Sequence, residues 1–152
     1  MSKSKKDNSF LIQNKKARHN YDITETIEAG ISLTGSEVKT LREKKGELLE
    51  AFFIFKKMEL YLQNAHIPEY TNGGYANHEP LRLRKVLLHR EELDRLFSQV
   101  KEKGISLVPM KMYIKNRKIK LLIGLGKGKN RGDKRNASRE KDDKRQIRQH
   151  LR

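Results

Sequence analysis

The stretch Thr34-Gly35-Ser36-Glu37-Val38-Lys39-Thr40-Leu41-Arg42-Glu43-Lys44-Lys45-Gly46 predicts one complete short helix. Thr34 and Glu37 have the spacing of a capping box, in which each side chain accepts a hydrogen bond from the backbone N–H of the other residue. Val38 and Leu41 lie three positions apart and therefore share a face that can pack on a core. Gly46 is typical of the residue that ends a helix in the left-handed conformation.

Other faces of this helix are basic. Lys39 and Arg42 lie three positions apart on an outward face, while Lys44 and Lys45 fall in the last turn, where cations suit the helix dipole. A helix that buries one stripe and exposes cations on another is suited to contact RNA.

The segment before the helix alternates between apolar and polar residues from Tyr21 to Ala29. This period of two predicts a half-buried strand, and Gly30 predicts a bulge or a barrel corner at its end. Residues 10–12 form a short apolar anchor ahead of it.

Two hairpins are predicted after the helix. Residues 50–56 and 59–67 flank Lys57-Met58, a poor turn dipeptide at the right spacing, and residues 105–115 and 118–125 flank Asn116-Arg117. Pro109 favours an edge position or a bulge in its strand.

Between the hairpins, residues 81–88 predict a strand with one apolar face and one basic face that carries Arg82, Arg84 and Lys85. Residues 90–103 show the spacing of an amphipathic helix, and Gly104 closes it. The order of elements predicts a mainly β protein with α. We expect a small, closed, antiparallel OB-like β-barrel with two or three helices and a disordered basic C-terminal tail.

Composition limits the function. Of 152 residues, 35 are Lys or Arg and 19 are Asp or Glu, which gives a formal net charge of +16. This excess favours a polyanionic partner, nucleic acid ahead of an anionic membrane surface. The absence of cysteine excludes disulfides, thiolate zinc sites and thiol nucleophiles. With no apolar run long enough for a membrane span and no signal peptide, we expect a cytoplasmic protein.

Residues 127–152 differ in composition from the rest, with eleven Lys or Arg against four acids. Their few aliphatic side chains cannot bury enough surface to order the segment, although many residues favour a helix. The sequence predicts three parts: a mobile basic N-terminus over 1–9, an OB-like RNA-binding barrel over 10–126, and a basic tail over 127–152 that becomes helical on a polyanion.

Signals for catalysis are weak, and we expect no enzymatic activity, cofactor or metal. His89 precedes a helix whose first turn contains Glu91 and Glu92, which indicates a role at the helix start. Gly124, Gly126 and Gly128 do not match a nucleotide-binding motif, so a hinge into the tail is the preferred interpretation.

Basic clusters at residues 15–18, 39–42, 82–85 and in the tail point to RNA, although any one of them alone could be a solvated face. Asn14, His19, Tyr21, Glu28 and Leu87 lie beside these clusters and are candidates for contacts with bases. Glu28 could accept from a base amine or pair with a neighbouring cation. A structural ribosomal protein with a barrel body and a basic tail is the alternative function.

Several motifs together resemble the SmpB family, the SsrA-binding proteins, over nearly the whole chain. They are Asn14-Lys15-Lys16-Ala17-Arg18-His19, Glu28-Ala29-Gly30-Ile31, Gly35-Ser36-Glu37-Val38-Lys39-Thr40-Leu41-Arg42, Asn77-His78-Glu79-Pro80, Arg84-Lys85-Val86-Leu87-Leu88-His89 and Asp133-Lys134-Arg135.

The resemblance implies a factor of ribosome rescue that binds the tRNA-like domain of transfer-messenger RNA and brings it to stalled ribosomes. The implied partners are this RNA and the ribosomal RNA of both subunits, with elongation factor Tu and alanyl-tRNA synthetase reached indirectly through the RNA. The protein would act as a monomer, and its tail would enter the empty message channel.

The resemblance and the basic clusters together give two sets of expected site residues. Those expected to bind transfer-messenger RNA are Asn14, Lys15, Lys16, Arg18, His19, Tyr21, Glu28, Lys39, Arg42, Arg82, Arg84, Lys85 and Leu87. Those expected near the ribosomal decoding centre are Lys127, Lys129, Arg131, Gly132, Asp133, Lys134 and Arg135. In this last segment Asn130 replaces a family lysine, and Gly132 replaces an aromatic residue or histidine.

Overall fold

The computed structural model describes residues 10–71 and 77–129, which form seven strands and three helices. The strands are β1 (Phe10–Gln13), β2 (Tyr21–Ile31), β3 (Phe52–Lys56), β4 (Glu59–Gln63), β5 (Arg84–Leu87), β6 (Ser106–Lys115) and β7 (Lys118–Gly128). The helices are α1 (Ala17–Asn20), α2 (Gly35–Arg42) and α3 (Arg90–Lys103). The N-terminus over 1–9 and the predicted tail from residue 130 lie outside the described residues.

All the strands belong to one antiparallel sheet with the order β1-β6-β7-β2-β5-β4-β3. The predicted mainly β architecture with helices is confirmed. The predicted closure into a barrel is wrong for the described residues, because the sheet begins at β1 and ends at β3 with no pairing between these two edge strands.

One face of this sheet holds the main core. Leu60, Leu62, Val86, Leu121 and Ile123 are buried there together, and residues from both α2 and α3 pack among them. Helix α3 has its predicted bounds, and Gly104 ends it with a left-handed φ of 67°. Of its predicted apolar stripe, Leu93 and Leu96 are buried, while Phe97 and Val100 are only half-buried.

Helix α2 begins as predicted. The Thr34 side chain accepts from the Glu37 amide, and the Glu37 side chain accepts from the Thr34 amide. Its predicted end is wrong, because the helix stops at Arg42 and Lys44 takes the left-handed conformation (φ 61°). Gly46 instead adopts φ 146°, and a Cβ there would lie 3.2 Å from the His66 carbonyl oxygen and 3.4 Å from the Leu41 side chain.

Both predicted hairpin turns are confirmed. Lys57 and Met58, and likewise Asn116 and Arg117, have positive φ at both central positions, as two-residue type I′ turns require. The predicted bulge at Pro109 is confirmed by a shift in pairing between Pro109 and Lys111.

Of the two alternatives predicted at Gly30, a bulge or a barrel corner, the bulge is wrong. Gly30 is paired regularly with Lys120 on β7 and with Leu87 on β5, and the bulge of β2 lies at Thr24. Thr24 has no partner on β7, and this extra residue reverses the alternation of side chains along β2. Tyr21 and Ile23 therefore point to the face of the sheet opposite to that of Ala29 and Ile31.

The glycines at the end of β7 do not form the predicted hinge. Gly124, Gly126 and Gly128 are paired with Thr26, Ile23 and Tyr21 of β2, so the strand continues past the predicted domain end at residue 126. A Cβ at Gly126 would lie 2.1 Å from the Asp22 carbonyl oxygen, which shows that these strands approach too closely for any side chain.

Candidate nucleic-acid interface

The face of the sheet turned away from the main core carries most of the exposed cations of β5, β6 and β7. Directly paired residues point to the same face, and Gly30 is paired with both Leu87 and Lys120, while Lys120 is paired with Tyr113. We call this surface the outer sheet face. Its members are Glu28, Lys85, Leu87, Lys111, Tyr113, Lys115, Lys118 and Lys120.

The outer sheet face combines features that RNA-binding surfaces use. Lysine ammonium groups bind phosphates, and an aromatic ring and an exposed aliphatic side chain can pack against bases. Leu87 is 50% exposed, and Lys85 and Lys120 lie on the same face of the sheet. The Lys111 ammonium lies 5.6 Å from the centre of the Tyr113 ring.

Glu28 is an acid near the centre of this surface, and its carboxylate is held by two side chains of β6. The Tyr113 hydroxyl donates to Oε2, and Lys115 Nζ lies 3.3 Å from Oε1. The hydrogen bond from Tyr113 lowers the pKa of Glu28 against the opposing effect of burial, and Lys115 and Lys120 lower it further. Burial and this hydrogen bond together raise the pKa of Tyr113. The Glu28 side chain is therefore ionised and held in one orientation.

Helix α1 covers the other end of the same face. Ala17 is buried against Val108 and Met110 in a second apolar cluster, with Tyr21, Ile23 and Leu122 packed around them. Burial raises the pKa of the Tyr21 hydroxyl. The exposed cations next to Ala17 therefore border the outer sheet face; they are Lys15, Lys16 and Arg18, with His19 beside them.

The side chain of Asn14 is used inside the chain. Its Nδ2 donates to the Pro109 carbonyl oxygen at 3.0 Å, and its Oδ1 accepts from the Lys16 amide at 3.2 Å. Both ends of the amide therefore fix the start of α1 on β6, so Asn14 positions the basic cluster that follows it.

The structure thus brings most of the predicted RNA-binding residues to one side of the sheet. Lys39 and Arg42 are not among them, because α2 buries Leu41 in the main core and lies on the opposite side. Lys39 Nζ lies 5.6 Å from the centre of the Tyr70 ring.

The prediction that Arg84 lies on an exposed basic strand face is wrong. Its side chain is fully buried, and Arg84 Nε donates to Glu37 Oε2 at 2.8 Å. Arg84 also donates to the carbonyl oxygens of Ala65, Arg82 and Pro80 at 2.8 to 3.0 Å. Strand β5 places Arg84 and Val86 inward and Lys85 and Leu87 outward, so its faces are mixed rather than separated into apolar and basic.

Arg82 belongs to the same network, with a third of its side chain exposed. It donates to both oxygens of Glu37, at 2.8 and 3.1 Å. Burial alone would raise the pKa of Glu37, but the hydrogen bonds from Arg82, the Thr34 amide and Arg84 hold that pKa at about 2. Both arginines therefore stabilise the fold, and neither belongs to the outer sheet face.

A second polar contact joins α2 to the segment before β5. His78 Nε2 lies 2.8 Å from the Ile67 carbonyl oxygen, and its Nδ1 lies 2.7 Å from Ser36 Oγ. A carbonyl oxygen can only accept, so Nε2 donates to Ile67, while Nδ1 and the Ser36 hydroxyl share the second hydrogen bond. Ser36, Glu37, His78 and Arg84, which all lie in family motifs, thus form internal contacts.

Two of the residues expected near the decoding centre are described. Lys127 is exposed near the end of β7, and the Lys129 amide donates to the Asn20 carbonyl oxygen at 3.0 Å. Arg131, Gly132, Asp133, Lys134 and Arg135 lie outside the described residues. The described chain therefore ends against the C-terminus of α1.

Sequence reasoning missed five members of the outer sheet face: Lys111, Tyr113, Lys115, Lys118 and Lys120. Their alternation along β6 and β7 was a visible signal. Their proximity to Glu28 was not, because it depends on the order of strands in the sheet. In residues 10–71 and 77–129, no group of three or more His, Cys, Asp or Glu side chains could hold a metal.

Comparisons with known proteins agree with these features. A family model described as SmpB protein matches residues 11–152. An SsrA-binding protein of Bdellovibrio bacteriovorus is 54% identical over 147 residues, which cover 96% of this chain and 97% of that protein. One of Lactobacillus helveticus is 47% identical over 146 residues, or 96% of each chain.

Among solved structures, a chain from "tmRNA-SmpB: a journey to the center of the bacterial ribosome" is 46% identical and superimposes with a TM-score of 0.67. The match covers 91% of this chain and 95% of that one.

Proposed function

The chain belongs to the SmpB family, and we propose that it binds the tRNA-like domain of transfer-messenger RNA and delivers it to stalled ribosomes for trans-translation. Relatives named for binding SsrA, and a neighbouring structure named for tmRNA, SmpB and the ribosome, support this function. The single structural observation that carries it is the outer sheet face, where cations, a tyrosine and an exposed leucine lie on one regular surface.

The outer sheet face and the α1 cations beside it form the surface for the tRNA-like domain. Lys111, Lys115, Lys118 and Lys120 hold phosphates, and Leu87 with Tyr113 packs against the nucleosides between them. From Lys111 onward the β6-β7 pairing is regular and fixes the spacing of these lysines, because successive outward residues of a strand lie about 7 Å apart. This rigidity favours a folded RNA surface over an unstructured strand.

The tail beyond Lys129 contacts the ribosome in this proposal. Lys127, Lys129, Arg131, Gly132, Asp133, Lys134 and Arg135 lie near the decoding centre, and the segment that follows enters the empty message channel. The high density of basic residues from 127 to 152 supports this role, because ribosomal RNA is a polyanion. Elongation factor Tu and alanyl-tRNA synthetase join the complex through the RNA alone.

The protein acts by binding and catalyses no reaction of its own. It works as a monomer in the cytoplasm, where the ribosomes are. No helix of the described residues is long and apolar enough to cross a membrane.

A salt series tests the proposal. The affinity of the purified protein for the tRNA-like domain of transfer-messenger RNA is compared with its affinity for an unrelated folded RNA of equal length. Any basic protein binds both RNAs at low salt. A preference of about a hundredfold or more that persists near physiological salt supports specific recognition, since specific and non-specific binding commonly differ by more than that. If the affinities for the two RNAs were equal at every salt concentration, the proposal would be overturned and a structural ribosomal protein would be favoured.

The double variant Lys118→Gln, Lys120→Gln tests the surface itself. Each lost phosphate contact reduces the slope of log affinity against log salt by about 0.7 to 0.9. The matched control is Lys101→Gln, Lys103→Gln, which removes two lysines from the last turn of α3 on the opposite side of the sheet. Equal effects of the two double variants would show that only net charge matters.

A further inference from the structure

Tyr113 and Glu28 form a pair in the middle of the outer sheet face. Tyr113 comes from β6 and Glu28 from β2, and β7 lies between these strands. The Tyr113 hydroxyl crosses over β7 to donate to Glu28 Oε2. The strands thus place an oriented carboxylate among the lysines of β6 and β7, whereas the carboxylate at the β4 side of this face, Glu59, pairs with Lys85 and Arg90.

An ionised carboxylate repels phosphate, so Glu28 weakens the simple electrostatic attraction of this surface for RNA. It attracts hydrogen-bond donors instead. RNA offers two kinds of donor, the N–H groups on the edges of bases and the ribose 2′-hydroxyl. A carboxylate offers about four acceptor positions, and within the described chain Tyr113 and Lys115 take two of them.

Glu28 is also accessible to a ligand. A third of its side chain is exposed. Its neighbour Gly30 has no side chain, and Leu87 lies across from Gly30 on β5, where a Cβ on the glycine would meet Leu87 Cβ at 3.3 Å. The carboxylate therefore lies beside an apolar ledge on which a nucleoside can rest while a donor group reaches Glu28.

We propose that Tyr113 is a positioning residue for RNA recognition, which orients the Glu28 carboxylate so that its free acceptor positions take a hydrogen bond from an N–H or O–H donor of the bound RNA. This inference rests on the proposed function and adds to it a residue and a chemical contact. Phosphate contacts from the surrounding lysines provide affinity, and the Glu28 contact provides selectivity.

A double-mutant cycle tests the positioning role. Tyr113→Phe keeps the ring beneath Lys111 and removes only the hydroxyl. We expect it to weaken binding to the tRNA-like domain about fivefold, the usual scale for one hydrogen bond. In a Glu28→Ala background the same change has no further effect, because there is no carboxylate left to orient. Thermal melts of all four proteins separate binding from folding.

Two outcomes of this cycle would overturn the inference. One is an unchanged affinity of the Tyr113→Phe variant, and the other is an equal loss in both backgrounds, which would show that Tyr113 acts without Glu28. If wild type itself shows no preference for the tRNA-like domain over unrelated RNA, the proposed function fails first. If wild type shows that preference but the effects of the Tyr113 and Glu28 substitutions on affinity are independent, only the positioning role is contradicted.

The pH dependence of binding gives a second readout that a merely structural tyrosine would not change. The groups facing Glu28 are Tyr113 and Lys115 on β6 and Lys120 on β7, while β5 contributes Leu87. The hydrogen bond from Tyr113 is the largest influence that lowers the pKa of Glu28. Without this hydrogen bond the pKa of Glu28 rises, so the carboxylate becomes protonated at a higher pH. As the solution is acidified, the Tyr113→Phe variant should therefore lose its affinity for RNA at a higher pH than wild type. Identical pH profiles would contradict the inference.

The two sources of the donor are separated with modified RNA. One series of tRNA-like domains replaces single nucleosides by analogues that lack either the exocyclic amine or the ring N–H donor of the base, and the other removes single 2′-hydroxyls. The donor is identified by the change that weakens binding to wild type but not to Glu28→Ala. If no change in either series depends on Glu28, the carboxylate has no RNA donor and the inference is wrong.

Discussion

The Glu37 carboxylate and the Arg84 guanidinium, 47 positions apart in the sequence, lie 2.8 Å apart with both side chains fully buried. The pair joins α2 to β5. Arg84 also binds three carbonyl oxygens, so every charged group in the pair has hydrogen-bond partners. Such a network tolerates burial because neither charge is left alone.

Glu37→Gln should therefore destabilise the protein strongly. The amide removes the negative charge and leaves the buried Arg84 uncompensated, a type of change that costs about 3 to 5 kcal/mol. Urea denaturation measures the free energy of unfolding. The matched control is Glu43→Gln, which removes an exposed ion pair with Lys45 and should cost less than about 1 kcal/mol. Similar costs for the two variants would contradict the role of the network.

The same carboxylate should make stability depend on pH. Its pKa is about 2 in the folded protein, against an ordinary value of 4.5. Because the folded pKa is depressed, this contribution is fully present above pH 4.5 and is lost as the pH falls towards 2. The difference in unfolding free energy between wild type and Glu37→Gln should shrink by about 3 kcal/mol over that window, at 1.36 kcal/mol per pKa unit. A constant difference from pH 6 to pH 2 would refute this.

Gly126→Ala should destabilise the sheet by about 1 to 3 kcal/mol or more, because its Cβ would clash with the Asp22 backbone. Gly124→Ala is a useful comparison, since its Cβ would meet the flexible Met110 side chain at 2.7 Å, which can move aside. Gly35→Ala serves as the control, with no atom within 4 Å of the added group. Thermal unfolding should rank Gly126→Ala lowest. A hinge at Gly126 would instead leave its stability unchanged.

Removal of residues 130–152 should leave binding to free transfer-messenger RNA intact and abolish tagging of stalled chains. The cut follows Lys129 because β7 extends to Gly128 and the Lys129 amide is bonded to Asn20. A reconstituted translation reaction on a message without a stop codon measures tagging, and direct titration measures RNA binding. If a folded truncation lost both RNA binding and tagging, the tail would be needed for RNA binding as well, and the prediction would be wrong.

Local patterns predicted the elements well, since their causes are local. The capping box of Thr34 and Glu37, the stripe of α3 and the turns at Lys57-Met58 and Asn116-Arg117 all depend on neighbours within a few residues. The sequence could not reveal that Glu37, while capping its helix, also pairs with Arg82 and Arg84. That contact depends on packing between distant segments, which is why Arg84 was mistaken for a surface cation.

The candidate site was predicted in part for the same reason. Lys15, Lys16, Arg18 and Lys85 were predicted because cations cluster in sequence, and Glu28 and Leu87 because they lie beside these clusters and match family positions. Lys111, Tyr113, Lys115, Lys118 and Lys120 join them only because β7 lies between β6 and β2. The misassigned glycines reflect the same limit, because alternate glycines look flexible in sequence yet allow two strands to approach closely.

The buried pair of Glu37 and Arg84 also constrains how this chain can evolve. Replacement of Glu37 alone leaves the buried Arg84 without a counter-charge, and replacement of Arg84 alone leaves the buried Glu37 with only the partly exposed Arg82, so every single-step route away from the pair costs stability. Residues locked in this way identify a common fold and not a retained activity. A relative could keep Glu37, Arg84, Ser36 and His78 unchanged and still have lost its RNA partner.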